Sequence, residues 1–233
     1  MMLSNIKIGI IVADVEEYKP LAELIEKGEF KSYNFLGRKG HSFFVETKSG
    51  KAHVISILCG IGKVNATAAA MHLVDIGCNY IMNFGLSGGI SGISRGEVML
   101  CNRFMEHDFD LTGIGYKPCE KPAQEYIYNV SAEIQNLVIS ILGDIKVGMA
   151  LSGDRFICNA ADRDFFKENF GAMSCDMETA AIAYVAENAG IPFISLRRIS
   201  DDAGDDAVNT YTEMNNISDA TLTDCIFDII KSL

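Results

Sequence analysis

Short β-branched runs alternate with helical segments along almost the whole chain, and that alternation restricts the fold more than any other feature. Residues 6–12 form an Ile- and Val-rich run that suits a buried strand. Residues 15–27 follow as a helix, with Leu21, Leu24 and Ile25 near helical spacing and Gly28 as a stop. Residues 43–47 and 52–59 flank Ser49-Gly50 and predict a hairpin. Residues 63–76 are Ala-rich and helical, closed by Gly77. Further strands are expected over 80–84, 97–105, 145–151 and 192–199. Further helices are expected over 131–142, 177–188 and 218–232, the last with Ser218 as its N-cap. Segments 85–89 and 107–126 read as loops, on their glycines and prolines. Strands and helices in this order imply a mainly parallel or mixed sheet covered on both faces, with ligands bound beyond the carboxyl ends of strands.

Nothing in the chain resembles a linker or a repeat, so residues 1–233 are expected to form a single domain. Lys and Arg number 20 against 31 Asp and Glu, a net charge of −11. So acidic a chain is a poor match for a phosphate backbone or an anionic membrane surface, and neither partner is expected. No apolar run reaches the roughly 18–20 residues that span a bilayer, and the first residues lack a secretory signal's apolar core. The seven cysteines are odd in number, scattered, and without a C-x-x-C pair. They fit reduced thiols in a cytoplasmic protein, and neither zinc nor another cofactor is expected.

The polar segments after strands, 13–17, 85–89, 152–159 and 200–206, are where chemistry is sought. Asp14, Glu16 and Glu17 open a helix, where acids complement the positive dipole; the alternative is that one of them faces a cleft as a base. Gly85-Leu86-Ser87-Gly88-Gly89 either forms a turn or lets backbone approach a ligand, and it matches no dinucleotide or P-loop pattern. Phe156 could pack in the core or stack on a flat ring whose edge the Ile157 backbone could read. Asp176 could cap the next helix. Glu178, followed by Ala180, Ala181, Ile182 and Ala183, is a carboxylate in an apolar stretch and needs a partner or a function. Arg197-Arg198 and Asp201-Asp202 could form ion pairs, or one Asp could be desolvated enough to donate a proton. His107-Asp108-Phe109-Asp110 offers too few oxygens in one loop for a hard cation, so no metal site is expected.

Taken in order, these motifs resemble the 5′-methylthioadenosine/S-adenosylhomocysteine nucleosidases, within the nucleoside phosphorylase superfamily. The resemblance runs from Ile8-Gly9-Ile10-Ile11 and Glu16-Glu17 through Gly60-Ile61-Gly62-Lys63-Val64-Asn65-Ala66, Asn83-Phe84-Gly85 with Gly88-Gly89, and His107-Asp108-Phe109-Asp110 with Gly115-Tyr116. It continues through Ser152-Gly153-Asp154, Phe156-Ile157, Met177-Glu178 with Ala180, and Arg197 with Ile199-Ser200-Asp201. It implies an α/β three-layer sandwich with a central mixed sheet flanked by helices, usually a homodimer. The implied activity is hydrolysis of the N-glycosidic bond of 5′-thio-substituted adenosines, releasing adenine, a reaction linked to methionine salvage.

The resemblance also implies roles. Glu17 activates water, Asp201 protonates adenine N7, and Glu178 holds the ribose hydroxyls with the Met177 backbone and Arg197 nearby. Phe156 stacks on adenine while the Ile157 backbone reads its edge. Leu86 and Ser87 lie near the reacting centre. Ile61 and Tyr211 line the thioalkyl pocket, and Leu111 and Ile114 enter it from the partner subunit. Water is favoured over phosphate, because Glu16-Glu17 and Asn83 stand where phosphorylases carry arginines, and carboxylates repel phosphate. Five residues depart from the family pattern. Leu86 replaces a hydroxyl, Asp176 a Glu, Arg198 a small residue, and Asp14-Val15 a Met-Glu pair. The alternatives are a hydrolase or phosphorylase of another purine nucleoside (inosine, futalosine, aminodeoxyfutalosine) and a non-catalytic nucleoside-binding protein.

Overall fold

The computed structural model describes residues 6–215 and 219–233; Ser218, expected to cap the last helix, lies outside them. The first half runs β1 (Lys7–Val12), α1 (Val15–Ile25), β2 (Phe30–Phe35), β3 (Arg38–Thr47), β4 (Gly50–Leu58), α2 (Lys63–Asp75), β5 (Tyr80–Gly89) and β6 (Val98–Glu106). A short 3-10 turn, Thr112–Ile114, interrupts the long segment after β6. The second half runs β7 (Tyr128–Asn129), α3 (Ala132–Leu142), β8 (Lys146–Ser152), α4 (Ala160–Phe170), β9 (Ser174–Asp176), α5 (Thr179–Ala189), β10 (Phe193–Asp201), α6 (Ala207–Asn215) and α7 (Thr221–Ser232).

Among the described residues, the ten strands belong to one mixed sheet flanked by helices, the α/β class the alternation implies. Strands β4, β1, β5 and β10 are parallel neighbours, so their carboxyl ends open on the same side. β10 also pairs with β6, and β9 with both β8 and β5, so the sheet closes on itself at that end. The central strands read as continuous apolar runs because both faces are covered: Ile8, Ile10 and Ile11 of β1 and Ile81 and Met82 of β5 are fully buried. Tyr18, Leu21 and Ile25 turn the apolar stripe of α1 inward. On another face α2 packs against α5, whose Ala180, Ala181, Ile182 and Ala183 are buried.

The segment 85–89 corrects an expectation. It is not a loop but the continuation of β5, paired with β10 from Gly85↔Arg197 to Gly88↔Asp201 and with β9 at Gly88↔Cys175. The glycines there make room for side chains that press on the strand. A Cβ on Gly85 would stand 2.5 Å from Arg197 Nη1 and 2.7 Å from Glu17 Oε2, and one on Gly88 3.1 Å from Asp201 Oδ1. Five elements have no strong signal in the sequence. β2 is a mostly exposed edge strand, α4 buries one residue (Phe166), α6 is a polar helix, and β7 and β9 are two and three residues long.

Candidate active site

The chain delivers its first carboxylates by leaving β1 and turning at once into α1. Asp14 caps that helix, its Oδ1 accepting the Glu16 N–H at 2.8 Å. Glu17 follows in the first turn and points back over the end of β5, where its Oε1 accepts the Leu86 N–H at 2.6 Å. Burial pushes Glu17 up to about 7, against the pull of Arg197 and the Leu86 N–H.

Glu178 stands at the junction of β9 and α5, as the N-cap residue of an apolar helix. It is 6% exposed, and its Oε1 accepts the Gly62 N–H at 2.8 Å, an amide supplied by the turn between β4 and α2. Burial, and then the neighbouring Asp176, push Glu178 up to about 7. Asp201 closes β10 just after a register shift between Ile199 and Asp201. Its Oδ2 accepts the Ser200 hydroxyl (2.6 Å) and its Oδ1 the Ala203 N–H (2.8 Å). Burial raises Asp201 above the ordinary carboxylate range, in opposition to those two donors.

These three side chains, 161 positions apart from Glu17 to Glu178 (178 − 17), and 23 more to Asp201 (201 − 178), line one cavity of about 490 Å³. Ile61, Leu86, Ser87, Phe156, Met177 and Tyr211 line it too. Phe156 is 38% exposed and meets Tyr211 of α6 edge-on, their ring centroids 5.3 Å apart, so the pair forms an aromatic wall. Ile157 lines an adjoining recess with Arg155, Phe156, Met177 and Asp201. The Ser87 hydroxyl is turned away, donating to the Cys175 carbonyl at 2.7 Å. Among the described residues that line the cavity there is no lysine or arginine.

Arg197 is not among the lining residues, and Leu111 and Ile114 were expected to reach the pocket from a partner subunit rather than from this chain. Arg197 is 1% exposed and lies behind the wall, its Nε 3.0 Å from Asp176 Oδ2, with Asn83 and Thr179 also bonded to its guanidinium. It acts on the site through charge, lowering Glu17 and Glu178. Leu111 and Ile114 sit on the segment after β6, Ile114 is 73% exposed, and neither lines this chain's cavity. In the His107–Asp110 segment, Lys63 Nζ sits 2.5 Å from Asp108 Oδ1 and 2.7 Å from Glu106 Oε2, an ammonium where a cation ligand set would have to form. Asp14, Ala13, Cys175 and Ser200 also line the cavity. Asp14 carried a signal, as an acid after the first strand, and Ala13 lies in the same post-strand segment; Cys175 carried none.

The burial of Glu178 has a measurable consequence. Its folded-state value near 7 lies above the ordinary 4.5, so the folded chain holds a proton that the unfolded chain releases between those values. Stability from this group is present below pH 4.5 and is lost as pH rises through about 7. Glu178→Gln keeps an acceptor for the Gly62 N–H and carries no charge. It is expected to stabilise the protein by on the order of 2 kcal/mol at pH 8 and by nothing near pH 4.5. Urea titrations of both proteins at the two pH values check this; an equal difference at both removes the linkage.

The fold and this acidic cavity define a class. The family profile of the phosphorylase superfamily matches residues 7–231, and the chain belongs to that superfamily. A 5′-methylthioadenosine/S-adenosylhomocysteine nucleosidase of Shewanella halifaxensis is 33% identical over 215 residues, covering 89% of this chain and 91% of that protein. Within the superfamily, the chain belongs to the 5′-methylthioadenosine/S-adenosylhomocysteine nucleosidase family. The S-adenosylhomocysteine nucleosidase of Streptococcus pyogenes, solved in complex with 5-methylthiotubericidin, superposes with a TM-score of 0.86 at 26% identity over 99% of this chain and 98% of that one. The futalosine hydrolase of Helicobacter pylori shares the fold, with a TM-score of 0.89 at 24% identity over 98% of each chain.

Proposed function

We propose that this chain hydrolyses the N-glycosidic bond of 5′-thio-substituted adenosines, 5′-methylthioadenosine and S-adenosylhomocysteine, releasing adenine and a thioribose. The observation that carries this reading is the meeting of Glu17, Glu178 and Asp201 around one cavity. Adenine leaves poorly as an anion, so its departure calls for a proton at N7. Asp201, raised by burial and set beside the recess that holds Ile157, is the group for it. The sugar passes through an oxocarbenium-like state, as in glycoside hydrolysis. Glu178 against the ribose hydroxyls places negative charge where positive charge develops, which favours the transition state over the bound substrate. Glu17 takes the proton of the attacking water; a base poised near 7 suits neutral pH. Phe156 and the Ile157 backbone hold the base, and Met177, Leu86 and Ser87 surround the sugar.

A cavity lined by carboxylates, with Arg197 paired to Asp176 behind the wall, supports water as the nucleophile. Asn83, where a phosphorylase arginine stands, donates to the Ile11 carbonyl and accepts from Arg197. Adenine release from methylthioadenosine is therefore expected to proceed at the same rate in phosphate-free buffer and with phosphate added. A reaction that starts only on phosphate addition would assign the site to phosphorolysis.

The chain is read as one domain, working as a homodimer. Val64 and Met71 are exposed, one below the other on α2, and Ile61 and Ile114 add to the exposed apolar surface. A partner covering them would bring its Leu111 and Ile114 toward the thioalkyl end. Seven unbridged thiols support a reducing, cytoplasmic setting.

A further inference from the structure

We infer that Asp14 makes the cavity selective for adenosines whose 5′ substituent carries a cationic hydrogen-bond donor, an ammonium above all. The inference rests on the nucleoside hydrolase reading above and deepens it at the 5′ end of the substrate.

The cavity has two distinguishable ends. The recess containing Ile157 shares Gly88, Phe156, Met177 and Asp201 with the main cavity, and it excludes Asp14, Ile61 and Tyr211. With the base at the Asp201 end and the glycosidic bond beside Glu17 and Glu178, the C5′ substituent extends toward Asp14, Ile61 and Tyr211. Asp14 is held rigidly there, because its Oδ1 is committed to the cap of α1. Among the described residues the Asp14 side chain makes no other hydrogen bond, so its Oδ2 is without a partner there. Burial first, and then the charges of Glu17, Asp14, Glu178 and Asp201, push the Tyr211 phenol up to about 12.

A purely apolar thioalkyl tail placed here desolvates a carboxylate oxygen and offers nothing in return. An ammonium at the end of the tail satisfies that oxygen with a charge-assisted hydrogen bond. No lysine or arginine among the described lining residues competes for Asp14 or repels the incoming cation.

Two substrates of matched size test the idea: 5′-(3-aminopropylthio)-5′-deoxyadenosine and 5′-butylthio-5′-deoxyadenosine, which differ by an ammonium in place of a methyl. The wild-type protein is expected to favour the amine by about tenfold in kcat/KM, and Asp14→Asn to erase most of that ratio. Asn keeps an N-cap acceptor, so the variant removes the charge while sparing α1, and a thermal melt verifies this. The same two tails on 7-deazaadenine, a base resistant to release, give the preference as a ratio of Kd values without turnover. Absence of adenine release from every substrate defeats the hydrolase reading alone. A preference for the butyl tail, or a ratio that survives Asp14→Asn in both kcat/KM and Kd, defeats the assignment of Asp14.

Discussion

Asp201→Asn is expected to lower adenine release by about 10²–10⁴-fold with no loss of folded protein, the contribution a positioned general acid makes. The substitution preserves shape. The amide oxygen can still accept the Ala203 N–H that now reaches Oδ1 at 2.8 Å, and the Ser200 hydroxyl remains in reach of the other position. The acid proton is what disappears. Burial holds Asp201 above the ordinary carboxylate range, which is the direction a proton donor requires, whereas an amide has no comparable proton to give. Steady-state release of adenine, read beside a thermal melt, decides the matter. Turnover within a few-fold of wild type takes Asp201 out of the proton path; a melt shifted by many degrees would instead mark it as structural.

The environments of the carboxylates explain why one cavity can hold them. Glu17 and Glu178 are each pushed up to about 7, and the nearby cation that offsets this, Arg197, is already paired with Asp176. At neutral pH the two glutamates thus share a partly protonated state, which limits their mutual repulsion when the cavity is empty. In the proposed reaction, positive charge developing on the sugar draws Glu178 toward ionisation, so that charge appears where the transition state needs it.

Much of this was legible along the chain, where the physics is local. The run of residues 6–12 followed by acids and a helical stripe specifies a buried strand feeding a capped helix, and β1, Asp14 and α1 take that form. Glu178 was legible because an acid leading into the apolar run Ala180-Ala181-Ile182-Ala183 is costly unless it has work or a partner. The segment 85–89 was not, because a glycine run that makes a turn and one that makes room for Arg197 and Glu17 look the same until the strands that flank it are known. The position of Arg197 was hidden for a related reason. Its pairing with Asp176 depends on β9 and β10 converging, and three-residue β9 has too little pattern to announce itself.

Asp176→Ala is expected to destabilise the protein by about 3–5 kcal/mol, because it breaks a buried ion pair from one side only. Asp176 collects the Ser152 hydroxyl at 2.6 Å, the N–H groups of Glu178 and Thr179 at 3.0 Å each, the Thr179 hydroxyl, and Arg197 Nε at 3.0 Å. Burial opposes its ionisation, yet Arg197 and these donors hold it below the ordinary carboxylate value. Alanine leaves two amides at the start of α5 without an acceptor. It also leaves a guanidinium that is 1% exposed beside Asn83 and Thr179, with Glu17 and Glu178 as the remaining acids near it. The cost therefore lies chiefly in the orphaned cation, and removing the cation as well should return part of it. Asp176→Ala combined with Arg197→Met, compared with the single variant in urea titrations at pH 7, is expected to regain at least about 1 kcal/mol. A double variant that is less stable than Asp176→Ala would mean that Arg197 stabilises the fold through Asn83 and Thr179 on its own, and that the pair is not the unit that holds β10 against β9.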